Sequence, residues 1–233
     1  MFEVLIAVAA AIAGGIAAVA GFGIGSLLTP LLALRFGTKL AVAIISVPHF
    51  IGTAVRFATM WRNVDRRVLI RFGALSAAGG LIGALLNAQA NSRALTIVFG
   101  LLLIFAGTAA GRLRFGHKTA WLAGLVSGLF GGLVGNQGGI RSAALLGFEL
   151  EKESFVATAT AIGLVVDGAR MPVYIATQWP GMWQARSEML VAAIGVVAGT
   201  FLGITLLRRI PERWFRRAVS VLIVALGIYM IFK

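Results

Sequence analysis

Apolar residues in this chain run in blocks separated by short polar connections. Stretches of roughly 17 to 25 mostly apolar residues, the length that spans a hydrocarbon core, fall near 3 to 20, 40 to 61, 68 to 88, 94 to 111, 119 to 134, 154 to 178, 187 to 207 and 214 to 232. They fill nearly the whole sequence, and no connection between them is long enough for a soluble domain. The first stretch lacks the basic start and short apolar core of a cleavable signal peptide. The pattern predicts an all-α polytopic membrane protein.

The blocks repeat. Sliding the chain by 114 positions lays Gly21 to Arg56 on Gly135 to Arg170 without a gap. Gly21 meets Gly135, Gly25 meets Gly139, Leu31 and Leu32 meet Leu145 and Leu146, Val42 and Ala43 meet Val156 and Ala157, and Ser46 meets Thr160. After a slip of six residues Gly83 falls on Gly203, Arg93 on Arg213 and Gly107 on Gly227. The paired Arg56 and Arg170 carry most weight, because charges inside membrane segments are rare. Two homologous halves follow, residues 1–115 and 116–233.

Charge counting predicts how the halves thread. If all eight stretches simply crossed, the Lys and Arg of the connections would divide nine against nine, against the rule that cytoplasmic loops are the basic ones. The picture changes if the first stretch of each half dips in, turns at its glycines and returns as a half-helix, near 26 to 36 and 140 to 148. Thirteen basic residues then fall on the cytoplasmic side: Arg62, Arg66, Arg67, Arg71, Arg112, Arg114, Lys118, Lys152, Arg208, Arg209, Arg213, Arg216 and Arg217. Five fall outside: Arg35, Lys39, Arg93, Arg186 and Lys233. Each half crosses three times on this reading, so the second is inverted relative to the first, an arrangement common among secondary transporters. Both termini are then outside.

Composition agrees with a membrane chain: 59% of the residues are hydrophobic, 12% are charged and the mean hydropathy is +0.95. The net charge of +13 would suggest nucleic acid in a soluble protein. Here most of it sits in short loops, and no nucleic-acid partner is expected. The absence of cysteine excludes disulfides and thiolate chemistry. The two histidines, His49 and His117, do not by themselves build a metal site. No cofactor is expected.

Candidate chemistry gathers at the glycine breaks. Non-helical backbone at membrane depth is tolerated only where protein, water or ligand satisfies its polar groups. Each return helix would aim free N–H groups and a positive dipole end at the membrane middle, which favours an anion. Gly23, Gly25 and Ser26 open the first half-helix, and Asn136, Gln137, Gly138 and Gly139 the second. Close helix packing is the structural alternative for the isolated glycines; it explains the amides beside glycine at 136 and 137 less well. Arg141 follows the second glycine run directly and is the leading anion ligand, since guanidinium holds two oxygens at once. Ser46 and Thr160 can offer hydroxyls, although bonding back to their own helices is equally ordinary. Asp167 and Arg170, three apart, form either a structural ion pair or part of the site. With Arg56 and His49, which can carry a proton, they make up the possible coupling or structural charge.

At these residues the chain resembles the TauE/SafE family, the sulfite exporter or toluene-sulfonate uptake permease family, over essentially its whole length. GFGIGSLLTPLLAL, with Pro30, Leu31 and Leu32, looks like the family pattern, as does the turn Arg62-Asn63-Val64-Asp65. The second copy reads GNQGGIRSAALL, and Asn136, Gln137 and Arg141 make it more polar than the common pattern. The resemblance implies a permease for sulfite, sulfoacetate or other organosulfonates in the bacterial cytoplasmic membrane. An anion channel, or a carrier of a non-sulfur organic anion, is the alternative. An enzyme is not expected, since the spans carry no cysteine, no HExxH-type motif and no close Ser-His-Asp grouping. A scaffold or lipid-binding role would leave Arg141, Asn136 and Gln137 without purpose.

Overall fold

The computed structural model describes residues 1–108, 115, 117–207 and 212–232, and among them all regular structure is helical. The basic residues Arg112, Arg114, Arg208, Arg209 and Lys233 lie outside the described residues. The helices are α1 (Phe2–Ala20), α2 (Ile24–Met60), α3 (Arg66–Gln89), α4 (Ser92–Thr108), α5 (His117–Val134), α6 (Gly138–Leu145), α7 (Lys152–Gln184), α8 (Arg186–Leu207) and α9 (Glu212–Phe232). Among the described residues, the segments long and apolar enough to cross a membrane are Phe2–Val19, Ile24–Asn63, Arg66–Gln89 and Lys152–Gln184; shorter apolar helices accompany them.

The polarity of the molecule is that of a membrane protein. Large apolar side chains cover the outside, such as Val4, Leu5, Val8 and Ile12 on α1, Leu81, Ile82, Leu85 and Leu86 on α3, and Leu190 and Ile194 on α8. Arg56, Arg141, Asp167 and Arg170 are buried. A surface this apolar has no partner in water, whereas lipid tails supply one, and costly charges then belong in the protein interior.

Both glycine breaks fall where the sequence places them. α1 ends at Gly21 and α5 at Gly135, each in the left-handed region, with φ of 77° and 75°. In each, the glycine N–H bonds back one turn, to Ala17 and to Gly131. A side chain at either position would be strained, and glycine is the residue that ends a helix this way. The chain re-enters helix at Ile24 and at Gly138, two residues before the expected half-helices near 26 and 140. The first half-helix runs to Gly37, whose φ of 74° interrupts α2. The second runs through α6 and the one-turn 3-10 helix Leu146–Phe148 to Glu149, again left-handed at φ 52°. The turn at Arg62-Asn63-Val64-Asp65 begins with a one-turn 3-10 helix and ends with Asp65 capping α3, its carboxylate accepting from Val68 N–H at 2.8 Å.

Helices early in the chain pack mainly against later ones. α3 lies along α5 as α1 lies along α8; α3 meets α7 as α2 meets α8; α4 pairs with α9 and α2 with α7. Small residues bring the first two pairs into backbone contact. A Cβ on Gly128 or Gly132 would strike the carbonyls of Ser76 or Gly80, and one on Gly14 or Gly199 those of Val196 or Ala11. Such close approach holds membrane helices together by dispersion where no hydrophobic effect operates between them.

Candidate functional site

The two breaks meet. A Cβ on Gly25 would collide with the carbonyl of Gly135, and one on Gly138 with the side chain of Phe22. Arg141, in the first turn of α6, donates from Nη2 to the carbonyl of Gly21 at 3.2 Å, so its guanidinium ties down the end of α1. Its Nη1 points toward α7, where a Cβ on Gly163 would lie 3.0 Å away.

α7 supplies the second wall through residues one turn apart. Arg170 donates from Nε to Asp167 Oδ1 at 3.0 Å, and its Nη2 lies 2.8 Å from the same oxygen. Its Nη1 donates to the carbonyl of Gly131. One turn on, the Tyr174 hydroxyl donates to the carbonyl of Gly132. A further turn on, Gln178 donates to Asn87 Oδ1 at 3.2 Å, and Asn87 Nδ2 donates to the carbonyl of Leu133 at 2.8 Å. Three successive carbonyls at the end of α5 thus accept from side chains, that of Gly131 in addition to the Gly135 N–H. Asp167 Oδ2 meets His49 Nδ1 of α2 at 2.6 Å.

Against this bonded wall stands a set of buried polar atoms with no hydrogen-bond partner among the described residues. They are Nε and Nη1 of Arg56, Nε and Nη1 of Arg141, Nδ2 of Asn136, both amide atoms of Gln137, and the hydroxyls of Thr29, Ser142 and Thr160. Nearly all can donate. Such groups are costly when left unpaired, and several of them lie near the junction: Arg141 interacts electrostatically with Arg56, Asp167 and Arg170, and Thr29 Oγ1 sits 3.5 Å from where a Gly135 Cβ would be. Three guanidinium groups face one carboxylate. With Arg170 matched to Asp167, the charges of Arg56 and Arg141 have no second carboxylate beside them among the described residues.

Of the residues singled out in the sequence, the structure brings Gly25, Asn136, Gln137, Gly138, Arg141, Arg56, Asp167, Arg170 and His49 to this junction. Gly23 and Ser26 flank it as the cap and first turn of α2, Ser26 being buried, and Gly139 lies in the first turn of α6. Ser46 turns away, donating to the carbonyl of Ala43 at 2.7 Å, whereas its repeat mate Thr160 keeps a free, buried hydroxyl. Thr29, Tyr174, Asn87 and Gln178 escaped the sequence reading, because a lone polar residue in an apolar span does not say which way it faces. The helical spacing of Arg170, Tyr174 and Gln178 was the available signal.

Two hollows lie away from the junction. One of about 570 Å³ is lined by Val98, Leu101, Leu102, Phe105, Phe115, Val126, Phe130 and Ile140. Its walls are all apolar and offer an ion nothing, so the junction of the breaks, not this cavity, is the candidate site. The groups there are packed against one another.

No characterised protein and no solved structure matches the chain. The profile of the family described as Sulfite exporter TauE/SafE matches residues 6–230, including both breaks, Arg56, Arg141, Asp167 and Arg170. The family is one of membrane transporters of sulfite or related anions, which agrees with a buried donor site of excess positive charge inside an apolar helical shell, and the chain belongs to it.

Proposed function

We propose that the chain is a secondary carrier of a small oxyanion, sulfite or an organosulfonate, in the bacterial cytoplasmic membrane, and not an enzyme. The observation that carries this reading is the pair of buried guanidinium groups of Arg56 and Arg141, with no second carboxylate beside them among the described residues, where the two glycine breaks meet. A sulfonate or sulfite brings several acceptor oxygens and negative charge, and so matches a set of atoms that are nearly all donors. Reading residues 1–115 and 116–233 as inverted repeats fits the packing of early helices against later ones. It also gives the carrier its motion, one half rocking against the other about a site at their junction.

Arg141 is assigned the principal contact, with the N–H groups at Gly138 and Gly139 and the amides of Asn136 and Gln137 around it. The test is uptake of labelled sulfite, isethionate and sulfoacetate into proteoliposomes, with binding to the purified protein in detergent. Saturable uptake driven by a gradient is expected. Arg141→Lys keeps the charge but loses the fork, so its affinity falls on the order of tenfold, about one charge-assisted hydrogen bond. Arg141→Ala falls further while remaining folded. Near-normal affinity in folded Arg141→Ala refutes the assignment, and non-saturating conductance in planar bilayers identifies a channel.

A further inference from the structure

The buried cluster is asymmetric across the repeat, and the asymmetry lies in its ionisable side chains. The shift of 114 positions puts Arg56 on Arg170, but it puts His49 on Gly163 and Thr53 on Asp167. The imidazole of one half therefore reaches the carboxylate of the other, Nδ1 to Oδ2 at 2.6 Å. Thr53 Oγ1, one turn along α2, is 3.5 Å from the same nitrogen. Asp167 accepts from Arg170 through its other oxygen, so it acts as an acceptor toward His49 as well, and Nδ1 carries the hydrogen. That leaves the lone pair of Nε2 unused. Exposure also sets His49 apart: its side chain is 13% exposed, that of Asp167 0%, and Arg56, Arg141 and Arg170 are 3%, 3% and 1% exposed. Within the cluster His49 is the group that the protein covers least completely.

We infer that His49 Nε2 holds the coupling proton, bound and released together with the anion, so that transport is proton–anion symport. The inference rests on the anion-carrier reading of the same cluster. The charged groups around the imidazole are Asp167 and Arg170 from α7 and Arg56 from its own helix, with Arg141 of α6 beyond them as a neighbour of all three. Binding moves one proton from water to Nε2 and turns the imidazole into imidazolium, while the Nδ1 hydrogen stays on its bond to Asp167. That adds positive charge to a cluster already in excess by two guanidinium groups. It is unfavourable in the empty site and favourable beside an anion. Proton and anion therefore raise each other's affinity by the same factor. When Nε2 gives its proton to water on the far side, the attraction weakens and the anion follows. The sign is fixed by charge: anion affinity rises as pH falls through the range where the imidazole titrates.

Sulfate and methanesulfonate are the probes, because neither takes up a proton near neutrality, whereas sulfite does. The purified full chain in detergent is titrated with each at about pH 6 and about pH 8, and a pH-indicator dye in weak buffer reads proton uptake. Linkage of one proton predicts affinity that falls by up to about tenfold per pH unit across the titration range, with about one proton taken up per anion. His49→Gln keeps a donor toward Asp167 and is expected to bind with flat pH dependence and no uptake; should it aggregate, His49→Asn is read in its place. A flat profile without proton uptake in the wild type overturns the inference and leaves the carrier reading standing. Undiminished proton uptake in folded His49→Gln also overturns it. Absence of binding at both pH values removes the carrier reading and the inference together.

Discussion

Arg170 and Arg141 are alike in type and burial and differ in what they hold. Every arm of Arg170 is engaged, with Asp167 and with the carbonyl of Gly131, so its removal takes the guanidinium partner from a buried carboxylate and a donor from a helix-end carbonyl. Breaking a buried pair by removing one partner costs about 3–5 kcal/mol. Arg170→Ala is therefore expected to lower the melting temperature in detergent sharply, and an unchanged melting curve would contradict the structural role. Arg141 keeps two nitrogens free, and its freedom depends on the missing side chain at Gly163. Gly163→Ala would set a Cβ 3.0 Å from Nη1 on a helix that alanine otherwise suits. The expected result is anion affinity reduced on the order of tenfold at unchanged melting temperature, the opposite pattern to Arg170→Ala. The sequence marked Arg141 by its place after the glycines and Asp167–Arg170 by their spacing. It did not join His49 to Asp167, because 118 residues separate them and no local pattern records a contact across the repeat.

At the scale of elements, glycines punctuate the chain, and the breaks and half-helices were legible for that reason: a left-handed helix end requires glycine there, as at Gly21 and Gly135. The far ends of the long helices were not. α7 continues to Gln184 through Pro172 and Pro180, beyond the expected end near 178, because tertiary packing holds a helix that proline alone would stop. Glycines inside helices carry a different meaning, which their neighbours decide. Gly128 and Gly199 face backbone across the α3–α5 and α1–α8 contacts, whereas a Cβ on Gly168 would meet nothing within 4 Å. Gly128→Ala and Gly199→Ala are expected to cost about 1–3 kcal/mol by overpacking, and Gly168→Ala to be neutral or to gain up to about 1 kcal/mol from helix propensity. Thermal unfolding of the three variants in one detergent checks the ranking. Equal behaviour would mean that these crossings are looser than described.

For the whole molecule, the membrane class was readable, since it follows from composition. The pairing of α1 with α8 and of α3 with α5 was not, because helices apolar all round carry no stripe that points to a partner. Orientation in the membrane is a further property, and loop charge is its physical determinant. On the proposed inverted-repeat reading, the sequence assigns thirteen basic connection residues to one side and five to the other. Positive-inside bias assigns the richer side to the cytoplasm. Arg66 and Arg67 begin α3 on that side, while Arg35 and Lys39 lie on the other, where Arg35 pairs with Glu188 of α8 at 2.8 Å and Lys39 reaches the carbonyl of Ala88 at 2.6 Å. A single cysteine placed at Glu3 or at Trp61 in this cysteine-free chain reports the side directly. Membrane-impermeant maleimide applied to intact cells is expected to label the first and spare the second until the membrane is opened. The reverse pattern would invert the molecule, and labelling of both from outside would mean that the first half does not cross an odd number of times, which removes the inverted repeat on which alternating access depends.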